Sequence, residues 1–277
     1  MKNSIWNKSG SLANKFWERG WDFEDPDTAP IPVYDMHGHM GSYNAIYFAR
    51  AEAPEMVKHL KRAGVKRLVF SHHQSLWGEF RNSQVCDIVK QFPETLRFYI
   101  SINPHRQQYI EEDIELYDSF RPYVIGFKLL PDYHAVKASD PRYAKPLEYA
   151  NEHHLPVLVH TWSGSKFDDV DELMIIAKRY PNAVFFVGHS FANTEHAAQM
   201  AEVCDNAYFE LTSRPGIYGV LEEMVRTIGS QRIIFGTDMP WFDEFQHIGG
   251  VLSADISDDD MENILYRNID NLLGKDW

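Results

Sequence analysis

The sequence predicts an α/β protein folded as a single (β/α)8 TIM barrel with a short N-terminal extension. Eight short runs rich in Val, Ile, Phe and Tyr alternate with helical patterns from residue 33 onward. The runs are almost continuously apolar, as expected for parallel strands that are covered on both faces. The length of 277 residues also suits one closed barrel, an architecture that takes about 250 residues.

Each apolar run is predicted to form one strand. In chain order the runs are Val33–Met40, Val65–His73, Leu96–Pro104, Val124–Pro131, Pro156–Ser163, Val184–Ser190, Ala207–Ser213 and Ile233–Pro240. An open doubly wound sheet is the alternative, and it requires a glycine-rich loop, G-x-G-x-x-G, after its first strand. The segment that begins His37-Gly38-His39 lacks that pattern, which favours the closed barrel.

Helix signals fill the segments between the runs. Pro54 begins the first predicted helix of the barrel, and Gly64 ends it. The Asp140-Pro141 pair predicts a helix start, with the aspartate as N-cap and proline at the first helical position. Ser257 begins the last predicted helix and Gly274 ends it. Each run is therefore followed by a segment that can form a helix or a crossover.

The first thirty residues differ from the rest of the chain. Their aromatic residues stand among polar ones: Trp6, Phe16, Trp17, Trp21 and Phe23. A proline-rich exit at residues 25–32 separates them from the first strand. We expect residues 1–30 to form an arm whose short helix packs its aromatic face on the barrel, and residues 31–277 to form the barrel domain. An arm that binds a partner or a second copy of the chain is the alternative.

Composition and charge exclude several function classes. The formal charge of −13 disfavours nucleic acid as a partner, because an acidic surface repels phosphate backbones. Cys86 and Cys204 are the only cysteines, too few for a disulfide framework or a cysteine zinc site. Neither a signal peptide nor an apolar run of about 20 residues is present. We expect a cytoplasmic protein with a small-molecule substrate, no membrane contact, and a homo-oligomer as one open possibility.

Polar residues stand at the carboxyl ends of the predicted strands, where barrels of this class form their active sites. On the first strand His37 and His39 lie two residues apart and therefore share a face. The candidates on later strands are Lys128, His160, His189 and Asp238. Taken singly, each has an ordinary explanation as a hydrogen-bonded core histidine, a buried ion-pair lysine, or an aspartate that caps the next helix.

Together, the same residues indicate a metal centre. Closure of the barrel brings the ends of the strands to one rim, where the histidines and the aspartate converge. Crowded, desolvated imidazoles and a carboxylate require a cation to satisfy them. Because the ligand atoms are nitrogen and oxygen without sulfur, we expect a divalent ion, Zn²⁺ first and Mn²⁺ as the alternative.

Several segments resemble a known family. Residues 35–39 (Asp-Met-His-Gly-His), His160, His189 and residues 236–238 (Gly-Thr-Asp) are similar to the amidohydrolase superfamily of metal-dependent barrel hydrolases. More narrowly, Gly126–Pro131, Leu155–His160 and Tyr266–Leu273 resemble the amidohydrolase-related branch. That branch also contains aminocarboxymuconate-semialdehyde decarboxylase and related nonoxidative decarboxylases. The resemblance covers about residues 33–273 and leaves the N-terminal arm outside.

The resemblance implies the roles of the rim residues. The metal ligands would be His37, His39, His160 and Asp238, and His189 would lie beside the metal-bound water. Asp238 and His189 would be the catalytic residues, with Asp238 accepting a proton and returning it to a leaving group.

Lys128 leaves a second arrangement open. In binuclear members of the superfamily a lysine on strand 4 is carboxylated and bridges two metals, with the strand 5 and strand 6 histidines on the second ion. The equivalent here would involve Lys128 and His189. We expect one metal per chain, because the branch commonly keeps this lysine without a second metal. The strand 4 glutamate of TatD-like nucleases is absent, which argues against a DNase.

Substrate contacts are expected from residues that follow the strands: His72 or His73, Asn103, His105, His134, Trp162 and Arg214. Arg214 could pair with a substrate carboxylate, or it could be a surface residue before Pro215. Asp35 shares a face with the two strand 1 histidines but lies one layer deeper. We expect it to support the site, with Lys128 as a candidate partner.

The expected activity is that of a metal-dependent hydrolase, which uses a metal-activated water to cleave an ester, lactone or amide bond of a small molecule. The alternative is a metal-dependent nonoxidative decarboxylase, a lyase that acts on a small carboxylic acid. An arginine or paired polar residues beside the metal would favour the decarboxylase, because that enzyme must hold a carboxylate. The complete set of candidate ligands disfavours a non-catalytic barrel.

Overall fold

The computed structural model describes residues 10–44, 46–213, 217–275 and 277. Within these ranges eight parallel strands follow one another around a single sheet, in the order β1 to β8. Their bounds are Tyr34–Met40 (β1), Arg67–His72 (β2), Leu96–Ser101 (β3), Val124–Leu129 (β4), Pro156–Val159 (β5), Val184–Val187 (β6), Ala207–Glu210 (β7) and Ile233–Ile234 (β8). The predicted (β/α)8 barrel is therefore confirmed.

Helices precede β1, connect successive strands and follow β8. They are Leu12–Glu18 (α1), Ala53–Ala63 (α2), His73–Leu76 (α3), Asn82–Val89 (α4), Gln107–Glu115 (α5), Tyr117–Phe120 (α6), Pro131–His134 (α7), Ala144–His153 (α8), Val170–Arg179 (α9), Thr194–Val203 (α10), Val220–Ile228 (α11), Glu244–Ser253 (α12), Asp258–Glu262 (α13) and Asn268–Leu273 (α14). Short 3-10 turns cover Pro26–Thr28, Pro141–Tyr143, Ser190–Ala192 and Ser230–Arg232. None of the described helices has the length and hydrophobicity needed to cross a bilayer.

The helix signals of the sequence correspond to observed caps. Gly64 ends α2 with a φ of 80°, a left-handed conformation that glycine adopts without strain. The Ser257 side chain accepts a hydrogen bond from the Asp260 amide at the start of α13. Asp140 caps the 3-10 turn Pro141–Tyr143, so the α-helix itself begins only at Ala144. The last helical segment is divided by a π-helical turn at Asn263–Arg267.

The barrel is completed between β1 and the segment that follows β8. The predicted eighth strand, Ile233–Pro240, is regular only over its first two residues. The amide of Met36 donates to the Phe235 carbonyl (3.0 Å), and the amide of His39 donates to the Met239 carbonyl (2.6 Å). Strand geometry cannot continue through Asp238, because its φ is 65°.

Apolar side chains fill the lower part of the barrel. The buried cluster there consists of Tyr34, Met36, Val69, Tyr99, Ile125, Leu158, Phe186, Ile234 and Ile269. The Tyr99 hydroxyl donates to the Met36 carbonyl (2.9 Å). Between β4 and β5 the backbones approach so closely that a Cβ at Gly126 would lie 1.9 Å from the Pro156 carbonyl oxygen. This packed apolar end leaves the opposite end of the barrel for polar residues.

The described part of the N-terminal arm contacts α2, α12 and α13. Phe16 is fully buried and makes edge-to-face contacts with Trp21 and Phe23. Trp21 also packs on Phe245 of α12, and its indole N–H donates to the Ala63 carbonyl. Trp6 lies outside the described residues. The division into an arm (1–30) and a barrel domain (31–277) stays a prediction.

Candidate metal centre

The carboxyl ends of five strands bring the predicted rim residues together. His37 and His39 lie on β1, Lys128 on β4, and His160, His189 and Asp238 follow β5, β6 and β8. Asp238 Oδ1 lies 3.0 Å from His39 Nε2 and 3.4 Å from His37 Nε2. Asp238 Oδ2 lies 3.8 Å from His189 Nε2. Ligand atoms of His37, His189 and Asp238 all lie within 4.8 Å of one another.

Two of these residues have left-handed backbones. His189 has a φ of 56° and Asp238 a φ of 65°. Such conformations cost about 1–3 kcal/mol for residues other than glycine, and they cluster at functional sites. The Asp238 amide donates to the His37 carbonyl (2.6 Å), and its own carbonyl accepts from the Trp241 amide (2.9 Å). These bonds hold the Asp238 carboxylate against the histidines.

Three of the histidines are hydrogen-bonded through Nδ1. The partners are Glu210 Oε2 for His37 (3.0 Å), Ser71 Oγ for His39 (3.0 Å) and Asp168 Oδ2 for His160 (3.1 Å). A Cβ at Gly236 would lie 2.3 Å from Glu210 Oε1, so glycine is required beside this carboxylate. With Nδ1 occupied, each ring can bind a cation only through Nε2, the arrangement found in metal sites whose histidine ligands are held by outer hydrogen bonds.

Burial keeps these imidazoles neutral. It lowers the pKa of His37 and His39 well below 6.5, with a smaller contribution from the neighbouring lysine. The pKa is lowered to about 4 for His160 and about 3 for His189, again chiefly by burial. Burial raises the pKa of Asp238 above its usual range. Neutral rings have the free lone pairs that a metal requires.

Lys128 lies within this group and is fully buried. Its Nζ is 2.8 Å from His37 Nε2. Burial lowers its pKa to about 8, against the attraction of three carboxylates, Asp238 first among them. Asp35 binds elsewhere: its carboxylate accepts from the Thr237 side chain and from the His37 amide. The expectation that Asp35 pairs with Lys128 is wrong, because Asp35 bonds the backbone beside the rim.

The donor set fits a divalent cation. Several neutral imidazoles surround one carboxylate, and His189 Nδ1 is buried without a hydrogen-bond partner among the described residues. Nitrogen and oxygen ligands without sulfur suit a first-row divalent ion. The sequence-based ligand set, His37, His39, His160 and Asp238, stays a prediction, as does the choice between one and two ions.

A cavity of about 270 Å³ opens above these residues. Its floor includes His39, His160, His189 and Asp238. Its walls are mostly aromatic: Tyr43, Trp77, Tyr133, Trp162, Trp241 and Phe242. Ser213 adds a hydroxyl, and neither lysine nor arginine is among the described lining residues. The cavity therefore suits a flat, apolar molecule whose polar end reaches the floor.

The residues predicted to contact substrate lie in different places. Trp162 stands on the rim of the cavity and is 57% exposed. His73 lines the wall and stacks on His39, with ring centroids 4.7 Å apart. Arg214 lies outside the described residues.

His72, His105 and His134 do not line this cavity. His72 stacks on Phe80. His105 Nε2 donates to the His134 carbonyl, and His134 Nε2 donates to the Leu76 carbonyl. Asn103 likewise donates to the Leu76 carbonyl. The hydrogen bonds of Asn103, His105 and His134 therefore hold the loops behind the cavity wall.

Two carboxylates of the site, Glu210 and Asp168, were not predicted from the sequence. Glu210 ends β7 and is fully buried, where burial raises its pKa to about 8. Its signal was an acidic residue at the carboxyl end of an apolar run, the same position that singled out Asp238. Asp168 stands before α9 beside Asp169, which caps that helix. An aspartate pair before a helix is typical of capping, so the sequence held no sign that Asp168 orients His160.

Comparisons with known proteins bear on the whole barrel. The amidohydrolase family model matches residues 34–275. The sequence matches none of the curated proteins. A protein from Staphylococcus aureus described as a candidate amidohydrolase has a TM-score of 0.71 at 13% identity, with 88% of this chain and 100% of that chain covered.

Two further solved structures are decarboxylases. The 5-carboxyvanillate decarboxylase from Novosphingobium aromaticivorans, complexed with manganese and 4-hydroxy-3-methoxy-5-nitrobenzoic acid, has a TM-score of 0.72 at 9% identity, covering 91% of this chain and 98% of that chain. The dihydroxybenzoic acid decarboxylase from Polaromonas, with manganese and 2-nitroresorcinol, has a TM-score of 0.68 at 13% identity, covering 87% and 96%. At such identities the likeness shows the barrel fold.

The family match and the fold lead to one conclusion. The family model covers nearly the whole described barrel, including every rim residue from His37 to Asp238. The resemblance noted in the sequence is thereby confirmed. The chain belongs to the amidohydrolase family of metal-dependent enzymes.

Proposed function

We propose that this protein is a metal-dependent nonoxidative decarboxylase that acts on a small aromatic carboxylic acid. The observation that carries the proposal is the cavity: aromatic walls around a floor of histidines and Asp238. Its volume of about 270 Å³ lies at the small end of ligand sites, which suits a single-ring molecule.

The walls determine how a substrate would lie. A benzoate ring stacks between aromatic side chains, and its carboxylate can then reach the histidines and Asp238 of the floor. The arginine clamp considered from the sequence is not among the described lining residues. Arg214 lies outside the described residues, and we propose that the centre itself holds the carboxylate. An apolar wall disfavours the charged ground state of the substrate relative to neutral CO₂.

In this proposal Asp238 delivers the proton that replaces CO₂. Asp238 lines the cavity floor, beside the point where the substrate carboxylate would be held, and a carboxyl group in that position can transfer a proton to the substrate. When the ring–carboxylate bond breaks, its electron pair stays on the ring carbon, and the Asp238 proton forms the new C–H bond. Solvent then reprotonates Asp238. His189, whose Nε2 lies 3.8 Å from Asp238 Oδ2, would orient that carboxyl group.

A bound divalent ion would supply Lewis acidity to the substrate oxygens. The residues proposed to hold it are His37, His39, His160 and Asp238. Mn²⁺ is the first ion to test, because two of the compared structures carry it, and Zn²⁺ is the second.

The sequence alone placed hydrolysis ahead of decarboxylation. The comparisons support the reverse order, because aromatic-acid decarboxylases recur among the similar structures. Hydrolysis remains the second candidate because the family model is that of the amidohydrolases, and Asp238 and His189 could equally activate a water.

One experiment separates the two reactions. The Mn²⁺-loaded protein is incubated with carboxyl-¹³C-labelled ortho-hydroxybenzoic acids, and in parallel with aryl esters, lactones and anilides of matched size. Mass spectrometry of the headspace and solution then measures ¹³CO₂ and hydrolysis products. We expect ¹³CO₂ and the decarboxylated phenol. Turnover of esters, lactones or anilides without ¹³CO₂ from any acid would contradict the proposal.

A further inference from the structure

A second group of metal-binding residue types lies outside the barrel rim. His59 projects from α2 towards the start of α12, where Asp243 and Glu244 stand. His59 Nε2 lies 2.8 Å from Glu244 Oε2 and 3.0 Å from Asp243 Oδ2. All three ligand atoms lie within 4.8 Å of one another. The three residues, called here the α2–α12 cluster, come from two separate helices.

The polar atoms of this cluster have few other partners. Glu244 is fully buried, and neither of its oxygens has a hydrogen bond among the described residues. His59 is 5% exposed, and its ring nitrogens also lack a bond of good geometry. Asp243 Oδ1 accepts from the Phe245 amide, which leaves Oδ2 for the cluster. A buried carboxylate without hydrogen bonds is costly unless a cation compensates it.

The spacing of the atoms matches a metal coordination shell. An octahedral ion with bonds of about 2.05 Å places adjacent ligand atoms about 2.9 Å apart. The two distances from His59 Nε2 are 2.8 and 3.0 Å. One N–H cannot bond both oxygens with good geometry, whereas one ion can bind all three atoms. One imidazole and two carboxylates suit Mn²⁺ or Zn²⁺.

The surroundings provide access and charge. A cavity of about 340 Å³ borders the cluster and is also lined by Arg50 and Trp241. Arg50 Nη1 lies 3.5 Å from Asp243 Oδ2, and its side chain is 49% exposed. The two carboxylates raise the pKa of His59 to about 9, because their field favours positive charge, and a divalent ion bound here would take the place of the proton on Nε2. Arg50 supplies only part of that charge, from the solvent side.

We propose that His59, Asp243 and Glu244 form a second divalent-cation site, distinct from the centre at the barrel rim. The ion would tie α2 to the start of α12. The segment 239–243 leads directly from Asp238 to this site, and its Trp241 and Phe242 line the substrate cavity. A cation here would therefore fix the Asp243 end of the segment that forms one cavity wall. The proposal does not depend on the reaction catalysed.

The test counts bound ions in variants of the full chain. The double variant His37→Asn/His39→Asn disables the rim centre. Equilibrium dialysis against Mn²⁺ and elemental analysis should still find one Mn²⁺ per chain. Adding Glu244→Gln, which keeps the size of the side chain but removes its charge, should reduce this to near zero. Glu223→Gln, on the exposed side of α11, is the matched control and should keep the ion.

The Arg50→Gln variant should change Mn²⁺ affinity in the opposite direction from Glu244→Gln. Removing the guanidinium that faces Asp243 should tighten Mn²⁺ binding by about threefold to tenfold, through lost repulsion. If the rim double variant does not fold, the same count is made on otherwise native protein, where Glu244→Gln or His59→Gln should lower two Mn²⁺ to one. An unchanged count in both variants would overturn the proposal. So would a folded rim variant that binds no Mn²⁺, which would mean that a proton on His59 alone satisfies the carboxylates.

Discussion

The barrel rim and the α2–α12 cluster use the same residue types in opposite proportions. At the rim several imidazoles surround one carboxylate, Asp238, whereas in the cluster one imidazole, His59, faces two carboxylates. Burial lowers the pKa of His189 to about 3, while close contact with the carboxylates of Asp243 and Glu244 raises that of His59 to about 9. Carboxylate neighbours alone do not decide this difference, because His37 also faces two of them, Glu210 and Asp238. Burial beside Lys128 and the other histidines keeps the His37 ring neutral, whereas His59 holds a proton that a divalent ion would have to displace.

Their surroundings differ as well. The rim faces a cavity with aromatic walls, in which a substrate can be separated from water. The cluster borders a cavity that Arg50 and Gln246 also line, and it joins two helices. The rim can therefore support chemistry, and the cluster can support structure.

The largest effect is expected from metal removal. Exhaustive chelation should lower turnover by about 10³-fold or more, because a bound ion supplies several kcal/mol of transition-state charge stabilisation. Adding Mn²⁺ should restore it. Activity assays before and after dialysis measure the change, with chelator plus excess Mn²⁺ as the control. Full activity in protein shown to be metal-free would remove the metal-dependent account.

Asp238→Asn should lower kcat by about 10²–10⁴-fold, because the amide keeps the shape and one oxygen ligand but cannot transfer the proton. Steady-state kinetics, together with metal content, check this expectation. The exposed Asp255→Asn is the control for the same chemical change away from the rim. A kcat near that of the native enzyme would assign the proton transfer to another group, with His189 the next to test.

A third prediction concerns pH and uses His134, which is buried and neutral like the rim histidines but has no carboxylate partner among the described residues. Its folded-state pKa is about 4, against 6.5 for an ordinary histidine. The unfolded chain therefore binds this proton first as the pH falls, so stability from His134 is complete above about 6.5 and is lost towards pH 4. Between pH 7 and 4.5 the loss should be about 2–3 kcal/mol.

Urea unfolding of metal-free protein at both pH values measures this loss. His134→Gln should reduce the difference between the two free energies of unfolding by that amount, because glutamine does not titrate. An equal pH dependence in the variant and the native protein would show that burial does not hold this ring neutral.

Glu210→Gln should weaken Mn²⁺ binding at the rim by about 10–100-fold, because the carboxylate that orients His37 through Nδ1 is lost. Equilibrium dialysis in a Glu244→Gln background isolates the rim ion. Unchanged affinity would mean that Glu210 is not needed to orient the ligand.

The smallest effect is expected from Trp162→Ala on the cavity rim. Loss of one stacking wall, worth about 0.5–1.5 kcal/mol, should raise KM about twofold to tenfold with little change in kcat. Trp17→Ala is the matched control, because Trp17 is a 77% exposed tryptophan on α1. Equal KM values in the two variants would place the substrate elsewhere.

The sequence predicted the position of a residue best where that position depends only on the strand that carries the residue. The eight strands, and the convergence of His37, His39, His160 and Asp238, follow from apolar runs and from residues at their ends. The truncated β8 was not predicted, because the left-handed φ of Asp238 depends on bonds to β1. The apolar pattern of one segment does not show whether its backbone bonds to another strand.

The rest of the site depends on contacts between segments. His105 and His134 follow strands as Trp162 does, yet they turn towards backbone carbonyls behind the cavity wall. The residues His73 and Trp241 form that wall because a stack on His39 and a bond between their own rings bring them there. Sequence position alone could not separate these two outcomes.

The central claim is that this rim breaks a carbon–carbon bond and that Asp238 protonates the carbon left behind. The most direct test is turnover of an ortho-hydroxybenzoic acid by the Mn²⁺-loaded enzyme in D₂O, analysed by NMR and mass spectrometry. We expect the native enzyme to introduce one deuterium at the ring carbon that lost CO₂. The Asp238→Asn variant should introduce none. An enzyme that leaves such acids intact, while hydrolysing an ester or amide without carbon-bound deuterium, would contradict this claim.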